Sequence, residues 1–177
     1  QCVDEPDDPF EDPEPCVGDP VESPEIAPTP LQGIDGGRYG APRSDGTSHN
    51  GLDIKLPLDG PLHSMFDGTI YSAEASSQTF GKYIIVESNY EGEIIYVLYA
   101  HLNSRSVNNG DLVSAGSIIG KTGDTGNAAN TEPHVHIEVR KQVPELGYNN
   151  APHFDPEDYL STKFDEEGNP IPPENCN

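Results

Sequence analysis

The chain has 177 residues, enough for one ordinary domain and a tail. Nine basic against 31 acidic residues give a formal charge of -22, which argues against a basic patch for nucleic acid or for an anionic membrane surface. No run of 18 apolar residues exists, so no membrane-spanning helix is expected; with Gln1 at its start, the chain reads as a mature product or an excised piece.

Residues 1–30 contain ten acidic residues, eight prolines and no Lys or Arg. So little apolar surface does not offset the entropy of ordering, so residues 1–32 read as an extended acidic linker. The functional alternative is a pro-segment across a site, with carboxylates able to reach a metal. Cys2, Cys16 and Cys176 form no CxxC pair, which argues against a cysteine zinc knuckle. Cys2 with Cys16 could close a small disulfide loop and imply an oxidising compartment, although three thiols make the parity odd.

From residue 31 onward, short apolar runs rich in Ile, Val and Tyr recur between turn signals: GLDIK, GTIYSAEA, KYIIVES, EIIYVLYAH, GSIIGKTG and HVHIEVR. These are strand lengths and no window keeps a helical period, so the fold class is all-β. NNG (108–110), SAG (114–116) and GDTGN (123–127) suit tight turns with positive φ. Residues 33–163 are the expected domain. A closing loop follows Pro144, with one helical turn at DPEDYL, and residues 164–177 read as an exposed tail.

Four of the six histidines lie in strand or strand-edge contexts: His49 in SHNGLDIK, His101 in LYAHLN, and His134 and His136 in EPHVHIEV. His63 and His153 lie where nothing polar converges on them in sequence, and read as structural. In EPHVHIEV the period of two places His134, His136 and Glu138 on one face and Val135, Ile137 and Val139 on the other. His49 and Asp53 flank an Asn-Gly bend that enters a strand, a pairing that taken alone also suits a structural hydrogen bond. Together with a histidine of the pair, they supply two imidazoles and one carboxylate, the ligand number of a catalytic zinc site with one position open to water. No HExxH is present, which excludes the helix-borne metalloprotease arrangement. Strand spacing alone does not choose between His134 and His136: same-face neighbours lie about 6.5 to 7 Å apart, whereas two nitrogens on one zinc lie about 3.3 Å apart.

The ordered elements HNGLD, DGTI, YAHL, VNNGDLVSAGSIIGKTGDTGN, HVHIE and FDPEDYL resemble the lysostaphin-type (LytM-like) zinc metallopeptidases over about residues 37–160. The resemblance implies a mainly antiparallel sheet with a narrow groove, long loops and little helix. It implies His49, Asp53 and His136 as ligands of one Zn2+, and His101 and His134 as the catalytic imidazoles, with peptide bonds of bacterial peptidoglycan as substrate. Such an enzyme acts in a periplasm, at a cell surface or after delivery into a target cell, alone or as part of a larger secreted or delivered protein. Glu132 departs from the family's usual Gly before the Pro of the last motif, and the segment ahead of Gly33 has no family counterpart. Gly36, Gly37, Tyr39 and Gly40 precede the first motif as candidate groove residues, with Tyr39 as a candidate oxyanion donor. Two other readings compete: a catalytically silent wall-binding or regulatory module of the same fold, and a sugar-phosphotransfer domain with paired histidines. The presence of all five functional positions favours the enzyme.

Overall fold

A computed structural model describes residues 15–73, 76–129, 131–141 and 152–176. Thirteen strands lie among them: β1 (Glu25–Ile26), β2 (Leu52–Lys55), β3 (Pro61–His63), β4 (Gly68–Ser72), β5 (Ser76–Ser77), β6 (Gly81–Tyr90), β7 (Glu93–Arg105), β8 (Leu112–Val113), β9 (Ile118–Thr122), β10 (His134–Arg140), β11 (His153–Phe154), β12 (Lys163–Phe164) and β13 (Pro170–Ile171). Every pairing among them is antiparallel, and helical structure in the described residues is limited to single 3₁₀ turns, including Pro156–Asp158 in the DPEDYL stretch. The protein is all-β, as its strand-length runs predict.

The main sheet runs β1-β2-β10-β7-β6-β4-β8. Its longest pairing, β6 with β7, turns through Glu91 and Gly92, whose positive φ values of 51° and 87° match the two-residue turn that suits strand twist. Along β7, Ile95, Val97 and Tyr99 enter the main core, while Tyr96, Leu98 and Ala100 pack in a smaller cluster with Phe80 and Tyr83 on the other face. Alternation thus serves two apolar layers, which explains why EIIYVLYAH reads as an unbroken apolar run. The Tyr99 hydroxyl is not stranded in the core, because it accepts the Met65 N–H at 2.9 Å. In β10, Val135, Ile137 and Val139 are fully buried in the main core, as the period of two requires. Gly110, Gly116 and Gly126, in the three expected turns, all have positive φ.

The expectation of an extended linker fails for residues 15–30. Val21 and Ile26 join the main core, β1 pairs with β2, and the buried Asp19 carboxylate accepts bonds from Thr162 N–H at 2.9 Å and Thr162 hydroxyl at 2.6 Å. Average composition hides this. Few apolar groups are needed when they dock on an existing sheet edge, whose unpaired backbone groups supply the remaining bonds. Residues 1–14, including Cys2, lie outside the described residues.

The small Cys2 to Cys16 loop is also corrected, since Cys16 is bonded to Cys176, 160 positions away. The terminal stretch is thereby tied to the fold, and it carries the β12-β13 pairing instead of forming a free tail. A cross-link of that span removes much unfolded-state entropy. Cys176→Ser is therefore expected to lower stability by about 5 kcal/mol on the chain-entropy model. Denaturant midpoints with and without reductant test this: a midpoint that reductant leaves unchanged would show that the link contributes nothing.

Candidate metal centre and active-site cleft

Asp53 on β2 and His136 on β10 are direct cross-strand partners, so the sheet itself sets them face to face. His49 is held just ahead of β2 by its backbone, which exchanges bonds with Ala41 O and Gly40 N at 2.8 Å each. The glycine of HNGLD has a steric reason: a Cβ on Gly51 would lie 2.3 Å from Ile137 O and 2.7 Å from His136 Cε1. Only the absence of a side chain lets the bend approach β10 this closely.

Three ligand atoms then converge. His49 Nε2 lies 3.1 Å from His136 Nδ1, His136 Nδ1 lies 2.8 Å from Asp53 Oδ1, and Asp53 Oδ1 lies 3.2 Å from His49 Nε2. All three residues are buried, and they are the one group of metal-ligand type found among the described residues. Their other contacts fix the tautomers. His49 Nδ1–H donates to Arg38 O at 2.9 Å, and His136 Nε2–H donates to the Glu138 carboxylate at 3.0 Å. A carbonyl or carboxylate oxygen accepts and does not donate, so in the neutral rings both facing nitrogens present lone pairs. Two imidazole lone pairs and a carboxylate oxygen at these separations form one triangular face of a tetrahedron with bonds of about 2.0 Å. The donor set fits a zinc ion, and each imidazole has the outer partner that orients a metal-binding histidine.

The same convergence shapes the local charges. Burial alone would raise Asp53, but hydrogen bonds from His136 and His49 outweigh it and hold the carboxyl far below its ordinary range. Burial alone would lower His136, yet its bonds to Asp53 and Glu138 push it up to about 9. The trio therefore calls for positive charge at its centre, from a proton or from a cation. Glu138 is in turn bonded to the Arg140 guanidinium, at 2.9 Å from Nε and 2.6 Å from Nη2, and both side chains are buried.

His101 and His134 stand beside the trio, their ring centroids 5.0 Å apart. Each donates Nδ1–H to a backbone carbonyl, Thr125 O and Glu132 O respectively, at 2.8 Å, which leaves Nε2 as a lone pair on each ring. His134 Nε2 is 3.9 Å from Asp53 Oδ1, outside the tight triangle. Burial first, and then the charges of His136 and His134, lower His101 to about 4. His101 also has a positive φ of 62°, rare for a residue with a Cβ, at an irregularity of β7 where its N–H bonds Phe80 O.

The five residues line a cleft of about 840 Å³. Residues 27–30, Arg43, Thr79, Phe80, Ala128 and Glu132 also line it. Glu132 pairs with Lys55 at 3.3 Å, so the departure from glycine adds a charged pair at the cleft. Tyr39 is placed elsewhere: its hydroxyl bonds His153 Nδ1 at 2.7 Å, and neither residue lines the cleft. A polar partner thus does converge on His153, supplied by a segment 114 positions away. His63 is a buried structural histidine bonded to Gly116 O at 2.7 Å. Sequence reasoning put Glu138 on the histidine face without giving it a role and passed over Arg140. Their signal was the period of two in HVHIEVR, which puts both on the histidine face.

A model of peptidase family M23 matches residues 47–156. The peptidoglycan DD-endopeptidase ShyB of Vibrio cholerae is 34% identical over 91 residues, 51% of this chain and 20% of that protein. Lysostaphin of Staphylococcus simulans is 34% identical over 94 residues, 53% of this chain and 18% of its own length. The solved catalytic domain of that lysostaphin superposes with a TM-score of 0.58 at 29% identity, covering 70% of this chain and 88% of the domain. A zinc-containing peptidase from Vibrio cholerae shares the fold, at a TM-score of 0.56 and 24% identity, over 81% of this chain and 40% of its own. The matches span about a fifth of the length of these curated relatives. Because the family match takes in more than half of the sequence and every residue of the cleft's metal-type trio, the chain belongs to peptidase family M23.

Proposed function

We propose that this protein is a zinc metalloendopeptidase that hydrolyses peptide bonds in bacterial peptidoglycan. The observation that carries the reading is the closed triangle of His49 Nε2, Asp53 Oδ1 and His136 Nδ1, with edges of 2.8 to 3.2 Å, beside two further imidazoles in one cleft. When bound there, zinc would polarise the scissile carbonyl and lower the pKa of its water to about 7. His101 and His134 each offer an Nε2 lone pair to the reacting region. One takes the proton of the attacking water and delivers it to the leaving amine as the C–N bond breaks, and the other, carrying a proton from solvent on Nε2, donates to the oxygen that gains charge. Their Nδ1–H bonds to Thr125 O and Glu132 O hold the rings in the tautomer this exchange requires. Burial of His101 keeps it neutral, and so able to accept a proton, above about pH 4.

The reading of the fold as a silent binding module predicts eroded ligands, whereas here His49, Asp53, His101, His134 and His136 all line one cleft, which favours the enzyme. Peptidoglycan lies outside the cytoplasmic membrane, in the oxidising surroundings where a disulfide such as that of Cys16 and Cys176 persists. On this reading the enzyme acts in a periplasm, at a cell surface or after delivery into a target cell, alone or as part of a larger secreted or delivered protein. Purified peptidoglycan treated with the zinc-loaded chain is expected to release new amino groups, and a chelator should abolish the release. His49→Ala and His136→Ala should each lose the metal and the activity together. Full activity with one zinc per chain in either variant would overturn the assignment.

A further inference from the structure

Residues 27–30 lie outside the family match and yet line the metal cleft. The Ala-Pro-Thr-Pro stretch is held rigidly. Ala27 N–H donates to the backbone oxygen of Asp53 at 2.8 Å, which fastens it beside a trio residue. Thr29 and Gly33 exchange backbone bonds of 2.8 and 2.9 Å, closing the loop that contains Pro30. The Thr29 side chain lies on Gly36, where a Cβ would come within 1.9 Å of its hydroxyl. Further back the stretch is anchored by the β1-β2 pairing, by Asp19 on Thr162 and by the disulfide.

Its chemistry is equally definite. Both backbone N–H groups of residues 27–30 are engaged inside the protein, and prolines have none, so the backbone has no donor left for a ligand. Pro28 and Pro30 are exposed, so the wall shows ring methylenes that are already ordered before anything binds. No carboxylate occurs between residues 27 and 30, and none from residues 15–32 joins the metal-type group. The stretch is built as a wall of the cleft, not as a strap that blocks the metal.

We propose that residues 27–30 are a substrate-contacting wall, on which Pro28 and Pro30 pack against apolar side chains of the peptide next to the bond that is cut. This rests on the peptidase reading. The test uses the full chain with the double substitution Pro28→Ala and Pro30→Ala, and Leu31→Ala as the control, because Leu31 is 91% exposed but does not line the cleft. The substrate is a soluble cross-linked peptide dimer prepared from peptidoglycan. The double variant is expected to raise KM about fivefold, the effect of roughly one kcal/mol of lost apolar contact, with kcat, zinc content and melting temperature retained. Leu31→Ala should change none of these. Calorimetric binding of the same dimer to the metal-free proteins, which do not turn over, should weaken by a similar factor. Unchanged KM and unchanged binding would overturn the wall, and a rise in kcat/KM would show that the stretch obstructs the cleft. Absence of cleavage by the parent chain together with this binding difference would sink the peptidase reading and leave the wall standing.

Discussion

His101→Ala is expected to keep its zinc and to lower kcat by about two to four orders of magnitude, the usual worth of a positioned acid or base. The ring is outside the metal triangle, so its loss removes no ligand. What it removes is an Nε2 lone pair aimed by the bond from Nδ1–H to Thr125 O, on a residue kept at a positive φ of 62°. A conformation that most side chains avoid costs about 1 to 3 kcal/mol, and here the surrounding β7 pairing and the bond from its N–H to Phe80 O sustain it. His134→Ala should behave likewise, because it removes the Nε2 lone pair that the bond from Nδ1–H to Glu132 O aims. Metal analysis and steady-state kinetics on a defined peptide measure both quantities. Loss of zinc from both variants would overturn the division between the trio and this pair.

Glu138→Ala should have the second large effect, on metal affinity and on folding together. Its carboxylate accepts His136 Nε2–H at 3.0 Å and so leaves Nδ1 free to bind. Outer partners of this kind are worth about 10- to 100-fold in affinity. The same carboxylate is bonded to the buried Arg140 guanidinium, and breaking a buried pair from one side costs about 3 to 5 kcal/mol. Glu138→Gln separates the two roles. Its amide oxygen can still accept from His136, so affinity should recover in part, whereas its NH2 stands where Oε2 accepted from Arg140 and cannot accept, so that bond is lost. Competition with a chromophoric chelator reads the affinity, and thermal melting reads the fold. Wild-type zinc affinity in Glu138→Ala would show that the carboxylate does not orient His136.

Much of the site was legible because strand periodicity is local. The alternation in HVHIEVR settles which side chains of β10 meet the core and which meet the cleft, with no knowledge of the partners. Glycines mark places where backbones approach, and HNGLD carries one where His136 and Ile137 O crowd in. The choice of His136 over His134 as ligand came only from likeness to a family. Spacing along the strand left it open, and what favours His136 in space is that β10 pairs with β2 in the register that opposes it to Asp53.

Composition misjudged the N-terminal stretch for a physical reason. Disorder follows from a lack of buried apolar area, but Val21, Ile26 and Asp19 find their partners on β2, the core and Thr162, which no local average contains. Disulfide pairing fails in the same way: Cys16 is close to Cys2 in sequence and to Cys176 in space. The sequence by itself determined an all-β domain, the cleft-facing side of β10 and the residue types that can hold a metal, because those depend on neighbours within a few residues. The tertiary structure alone decided which lone pairs meet within about 3 Å, which carboxylate orients His136, and that residues 27–30 wall the cleft, because each depends on register between strands far apart in the chain.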